Sequence, residues 1–208
     1  ELCKKKHIPV VVIDSEVSDT EAVVSTIVSD NYDAGVQCAK DMMKKKTSAN
    51  IIIVNQKALN SINERVKGFR DTIKGHPQYK IVEEKESAAE FEIAMKVMEK
   101  IIYEKKNYDV VMGGNDPIAL GCIAAMQMTD KTDQVMVYGV DGSPDGKAMI
   151  KAGFLEGTAA QSPIKIGEKA VQTAYSYLAG ETVKKHVTIP VELITADNLK
   201  FYDMTGWQ

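Results

Sequence analysis

Metal and disulfide chemistry have little to work with in this sequence. It holds three cysteines, Cys3, Cys38 and Cys122, an odd number without a Cys-x-x-Cys pair. Neither a disulfide framework nor a structural zinc site is expected from such spacing. The three histidines, His7, His76 and His186, stand far apart and lack metal-ligand spacing. No apolar run approaches the ~18–20 residues that a membrane-spanning helix needs. The longest, Ile8–Ile13, is strand-sized. No signal peptide is recognisable at Glu1-Leu2-Cys3-Lys4, a segment that a processed form would lack in any case.

An excess of one charge is missing too. The 26 basic and 29 acidic residues leave a net charge of -3. That gives no field for gripping a polyphosphate backbone, so nucleic acid is not expected as a partner. The lysine runs Lys4–Lys6 and Lys44–Lys46 read as solvated helix ends, where cations are favoured by the helix dipole. Nucleotide and hydrolase signatures are absent as well: Gly139, Gly142 and Gly146 do not space as G-x-G-x-x-G, and no P-loop, G-x-S-x-G or H-E-x-x-H occurs. The stretch Asp141–Gly146 imitates the start of an EF-hand loop. Its twelfth position, however, is Ala152, where a bidentate Glu is required. No low-complexity linker or short repeat is present.

What is present is an alternation of short apolar strands with helical stretches, the pattern of an α/β protein whose parallel sheets are flanked by helices. With 208 residues, 44% of them hydrophobic, the chain suffices for one large domain or two modest lobes. Strands are expected at Ile8–Ile13, Asn50–Val54, Tyr79–Glu83, Asp109–Met112, Gln134–Val140, Glu156–Ala160 and Val187–Ile194. Several are apolar at nearly every position, as strands buried on both faces should be. Ile62, Val66, Phe69 and Ile73 form one helical stripe, and Ala94, Val97, Met98 and Ile101 another. Cys38 and Cys122 fall within such patterns and read as small buried hydrophobes. Asp116-Pro117, Ser143-Pro144 and Ser162-Pro163 each set a capping oxygen before a helix-starting proline. Gly153 and Gly180 end the last two of these helices. Asp14–Asn31 reads as a long extended passage into a helix at Asp33–Lys46, as though the backbone left one lobe for another.

Ligands of open parallel sheets bind outside the carboxyl ends of the strands. At those ends stand Asp14, Asn115, Asp141 and Gln161. Carboxylates accept hydroxyl protons, and amides both donate and accept. Arg65, just inside a helix, adds a fork of donors. Such a ring without a nucleophile–base pair points to recognition of a polyol, not to catalysis, and implies no cofactor or metal. Local alternatives stand beside each assignment. Asp116 is expected as a helix N-cap, with Asn115 pointing from the loop before it. Asp141-Gly142 reads equally as a turn, and Gln161 equally as a backbone partner at a helix entry. Arg65 has Glu64 and Asp71 as surface partners within reach on its own helix.

The segments 8–14, 24–39 (VSTIVSDNYDAGVQCA), 63–73 (NERVKGFRDTI), 113–126 (GGNDPIALGCIAAM), 137–153, 157–171 and 178–183 together give the protein a specific resemblance. It resembles the ribose-binding-protein group of ABC-transporter solute-binding proteins, with the type 1 periplasmic-binding-protein fold. The resemblance covers nearly all 208 residues in the family's order. It implies two lobes closing on a ligand about three crossing segments, with Asp14, Ser29, Arg65, Asn115, Asp141 and Gln161 lining the cleft. Ser29 is placed there by the resemblance alone. It also implies a monosaccharide or similar polyol as ligand, an ABC-transporter permease as partner, and an extracytoplasmic location, periplasmic or lipid-anchored at the cell surface.

Against the family pattern, the amino-terminal part of the first lobe has no counterpart here. Residues 1–29 plus 162–190 are then expected as a remnant of that lobe, and 30–161 plus 191–208 as a nearly complete second one. Self-association through the uncovered remnant follows. Ser15 stands where the family has Arg after the first strand, and Phe91 is displaced from its expected aromatic position and reads as core. Two other functions share the fold: a LacI-type transcriptional regulator core and a sugar-sensing receptor domain. The stretch 137–153 and the carboxyl-terminal segment resemble transport proteins more than regulators.

Overall fold

The computed structural model describes residues 2–104, 106–129 and 135–208. Its strands fall into two sheets. The smaller is all parallel, in the order β1 (Val11–Ile13), β2 (Ser25–Ser29), β8 (His186–Ile189). The larger has six strands, ordered β4 (Tyr79–Glu86), β3 (Ala49–Asn55), β5 (Val110–Gly113), β6 (Met136–Asp141), β7 (Gly157–Ala160), β9 (Glu192–Thr195). All its pairings are parallel except β7 with β9.

The helices follow the apolar stripes. α2 (Asn31–Lys45) pairs with α3 (Asn60–Ile73) and reaches β6, β7 and β9. α4 (Phe91–Tyr103) pairs with α5 (Asp116–Gln127), which packs on β3, β5 and β6 and touches α6 (Pro144–Lys151). α7 (Pro163–Leu178) instead packs on β1 and β2 of the small sheet, and a single turn, α1 (Leu2–Lys5), opens the described residues. Ile62, Val66, Phe69 and Ile73 are buried, as are Ala94, Met98 and Ile101, and both Cys38 and Cys122 are inaccessible in the same core. The lysine runs do end helices, with Lys4 and Lys5 in the last turn of α1 and Lys44 and Lys45 in that of α2.

Several boundaries differ from expectation for identifiable reasons. β2 lies within the passage read as merely extended; its Ser25, Thr26 and Ser29 disguise a strand that is buried throughout. The Ser25 hydroxyl is satisfied by donating to the Lys184 carbonyl at 2.8 Å. α2 starts at Asn31 rather than Asp33, because the Asp30 carboxylate accepts from the Asp33 amide at 3.0 Å and caps it earlier. The single strand expected at Val187–Ile194 is two, β8 and β9, broken at Pro190 and placed in different sheets. β1 keeps only the last part of Ile8–Ile13, and Ile8 is exposed. Of the strand expected at Gln134–Val140, Gln134 lies outside the described residues. Phe91 opens α4 half-exposed, not in the core. Gly153 and Gly180 do end α6 and α7, both with φ of 82° immediately after the cap residues Ala152 and Ala179.

The α2–α3 crossing is a backbone-to-backbone contact. A Cβ on Gly35 would lie 1.8 Å from the Arg65 carbonyl oxygen, and one on Gly68 would lie 2.0 Å from that of Tyr32. This mutual approach fixes α3 against α2 and brings Arg65 beside Asn31. Gly35→Ala is therefore expected to destabilise the protein by ~1–3 kcal/mol through overpacking. Gly167→Ala, on α7 with nothing within 4 Å of the added carbon, should instead stabilise by ~0.5–1 kcal/mol through lower backbone entropy. Thermal denaturation of the two variants checks both signs.

Candidate functional site

The backbone passes between the two sheets at Ser29–Asn31, at Gln161–Ser162 and at Pro190–Val191. Two of these passages are joined directly: the Gln161 Oε1 accepts from the Ser29 hydroxyl at 2.7 Å. The other end of the same amide donates from Nε2 to Asp141 Oδ1 at 2.8 Å. That oxygen also faces Arg65 Nη1 at 3.5 Å. Ser29, Gln161, Asp141 and Arg65 thus form one continuous polar relay at the carboxyl ends of β2, β7 and β6.

Arg65 does not pair with Glu64 or Asp71 on the surface of α3. It is buried, donating from Nε to Asn31 Oδ1 at 2.9 Å and from Nη1 to the Gly114 carbonyl at 2.9 Å. Asp71 is occupied instead by Tyr32 and Lys67. Removing the guanidinium from water lowers its pKa, and the carboxylates of Asp141, Asp14 and Asp116 oppose that fall.

Asn115, and not Asp116, takes the N-cap role. Asn115 is the N-cap of α5, its Oδ1 accepting from the Ile118 amide at 3.0 Å. Asp116 is the first residue of the helix and is fully buried. Its Oδ2 accepts from the Ser143 amide (2.9 Å) and hydroxyl (2.6 Å), and its Oδ1 from the Thr158 hydroxyl (2.6 Å). Room for the carboxylate exists because Gly139 and Gly146 carry no Cβ; one at either position would come within 2.4 Å of an Asp116 oxygen. Ser143 caps α6 through the Gly146 amide as expected, whereas Ser162 makes no side-chain cap on α7.

Asp14 and Asp141 share an unusual backbone. Both follow or end a strand with positive φ, 68° and 146°, conformations costing on the order of 1–3 kcal/mol that persist only where the surroundings impose them. Burial pushes the Asp141 carboxyl up to about 6; Arg65 pulls the other way and Asp116 adds to the rise. Burial raises Asp116 also.

Two grooves meet at Asp14. One, of about 370 Å³, is lined by Asp14, Asp141, Gln161, Pro163, Ile166 and Trp207. The other, of about 430 Å³, runs past Asp14, Glu16, Ser29, Asn31, Tyr32 and Glu64 to His186 and Thr188. Asn115 lines neither, and its amide oxygen is committed to the helix cap. Sequence reasoning missed Asn31, which holds Arg65 from α2, and Trp207, which nothing in its local sequence marks. Among the described residues no cluster of His, Cys, Asp and Glu has a metal-site arrangement, and no helix is long and apolar enough to cross a membrane.

The sequence profile of the periplasmic binding protein domain matches residues 1–182. The chain belongs to the periplasmic binding protein family. As a periplasmic binding protein it is similar to the ribose import binding protein RbsB of Escherichia coli K12, with 31% identity over 196 residues, covering 93% of this chain and 65% of the relative. It is similar also to the D-apiose import binding protein of Paraburkholderia graminis, with 31% identity over 205 residues, covering 97% and 65% of the two proteins. Among solved structures it resembles an ABC transporter solute binding protein from Bacillus halodurans C-125 with bound myo-inositol: TM-score 0.90, 25% identity, 97% of this chain and 70% of the other. A solute binding protein from Agrobacterium vitis with bound D-fucose gives a TM-score of 0.86 at 29% identity, covering 95% and 69%. The protein therefore spans just under two thirds of the length of these curated relatives.

Proposed function

We propose that the protein is the extracytoplasmic solute-binding component of an ABC importer and holds a monosaccharide or similar polyol between its two sheets. The polar relay Ser29–Gln161–Asp141–Arg65 carries this reading. Its Asp141 and Gln161 line the smaller groove and Ser29 the larger, while Arg65 is buried behind them, so that acceptors and donors suited to a polyhydroxylated ring stand at adjoining strand ends. Asp14, across the same groove, adds a carboxylate, and Asn115 stands beside the relay, one residue after the carbonyl that Arg65 binds. The names of the relatives support the ligand class: ribose and D-apiose import, and myo-inositol and D-fucose found bound.

Binding without catalysis fits the side chains. The thiols of Cys38 and Cys122 are pushed up by burial, away from nucleophilic use. In this reading residues 1–29 plus 162–190 are a remnant of one lobe, 30–161 plus 191–208 form the other, and the three passages are the hinge. The partner would be the permease of an importer. Exposed Ile164, Val171, Tyr175 and Leu178 on α7 supply the surface for self-association; light scattering over a concentration series should show it, and a monomer throughout would remove it.

Calorimetry with D-ribose, D-apiose, D-fucose, D-allose and myo-inositol tests the function. At least one should bind, and Asp14→Ala should weaken that ligand about tenfold, the worth of one hydrogen bond to a charged group at ~1.5 kcal/mol. Heat-silent titrations with all five would refute the proposal.

A further inference from the structure

The carboxyl-terminal tail is anchored at one buried charge. Lys147 of α6 has no solvent-accessible surface, and its ammonium donates to the carbonyl oxygens of Asp203 and Gly206, the latter at 2.6 Å. A buried ammonium is costly unless its donors are met, so these two carbonyls fix the tail against α6. The turn between them is closed from the other side. Asp203 Oδ1 accepts from the Thr205 amide and hydroxyl, both at 2.9 Å. Gly206 suits this turn, since a Cβ there would lie 2.7 Å from Asp203 Oδ2 and push that carboxylate aside.

Trp207 is the next residue. It is 47% exposed, and it lines the groove that holds Asp14, Asp141 and Gln161, with Pro163 and Ile166 completing the apolar side. The groove thus has carboxylates and an amide on one part and an indole on another. An indole face is a large, rigid apolar surface of low conformational cost. Its complement is a ring that shows hydroxyls at the edge and C–H bonds on a face.

We propose that Trp207 is a specificity-determining wall of the ligand groove, stacking on the C–H face of a cyclic polyol, and that Lys147 is the positioning residue that holds it there. This rests on the polyol-binding reading above and names, within it, ring-shaped over acyclic ligands. Asp141 and Gln161 grip the hydroxyl edge while Trp207 covers the face.

The sequence contains one tryptophan, so its fluorescence reports this residue alone. Without ligand, Lys147→Met, which keeps the stem and deletes the charge, should shift Trp207 emission to longer wavelength and raise acrylamide quenching at least twofold, with circular dichroism unchanged. Identical emission and quenching would overturn the positioning role. The exposed Trp207→Ala variant guards against a Lys147 variant that fails to fold. By calorimetry Trp207→Ala should weaken myo-inositol or D-fucose, whichever the wild type binds, at least tenfold, and Trp207→Tyr should restore most of the loss. The acyclic polyol sorbitol should bind the wild type and Trp207→Ala with equal, weak affinity. Unchanged affinity of Trp207→Ala for a cyclic ligand that still depends on Asp141 would overturn the stacking role and leave the binding function standing. A wild type that binds no polyol would overturn the binding function and the stacking role together, and the ligand-free fluorescence would still decide the positioning role.

Discussion

Arg65→Met is expected to cost ~3–5 kcal/mol of stability, the range found when one partner of a buried ion pair is removed, and to abolish sugar binding in the same step. Two facts make this a damaging change. The guanidinium is buried and supplies the countercharge to Asp141 and Asp116, both of which are already pushed toward protonation. It also ties α3 to α2 through Asn31 and to the β5–α5 loop through the Gly114 carbonyl. Methionine fills the space but leaves the Asn31 and Gly114 oxygens without their donor. Lysine should not rescue it, because one ammonium cannot reach Asn31, Gly114 and Asp141 as the planar fork does. Urea denaturation at neutral pH and calorimetry read the two effects; a variant with wild-type stability would remove Arg65 from its organising role.

The importance of Arg65 could not be read from its neighbourhood in the sequence. Its helix offers Glu64 and Asp71, whereas its observed partners are 34, 49 and 76 residues away. What was legible were features set by local physics: the apolar strands of the large sheet, the helical stripes, the glycines ending α6 and α7, and the rule that strand ends hold the polar groups. Asp14, Asp141 and Gln161 were found that way, and they do share one groove. Asn115 and Asp116 show the limit. Both residue types cap helices, so which one caps α5 and which is swallowed by Ser143 and Thr158 is settled by packing across 27 and 42 residues. β2 escaped for a related reason, since hydroxyls look solvent-bound until tertiary partners absorb them.

Asp141→Asn should weaken sugar binding 10- to 100-fold, equivalent to the ~1.5–3 kcal/mol of hydrogen bonds to a charged group, and should flatten its pH dependence. In the proposed function the acceptor for ligand hydroxyls is the ionised carboxylate, and burial raises its pKa to about 6. Affinity should therefore fall as pH drops below about 6. Stability moves in the opposite sense. Because the folded pKa lies above the ordinary value of 3.8, the folded state takes up a proton that the unfolded state leaves in solution. That stabilisation is fully present below 3.8 and is lost as pH rises through about 6. It amounts to up to ~3 kcal/mol at 1.36 kcal/mol per unit. The asparagine variant lacks this slope. Denaturation curves at pH 4 and pH 7 on both proteins give the difference; parallel pH profiles would show that Asp141 is not the titrating group.

The bond between Ser29 and Gln161 has a mechanical consequence. It staples together two of the three strands of backbone on which one sheet could swivel against the other, and the same amide grips the acceptor carboxylate. In the proposed function, bearing and handle are thus built from shared atoms. Any torque at the pivot would reach Asp141 through this side chain and through the Gln161 backbone amide, which donates to the Asp141 carbonyl at 3.0 Å. Gln161→Leu would keep the second link, loosen the pivot and strip the handle.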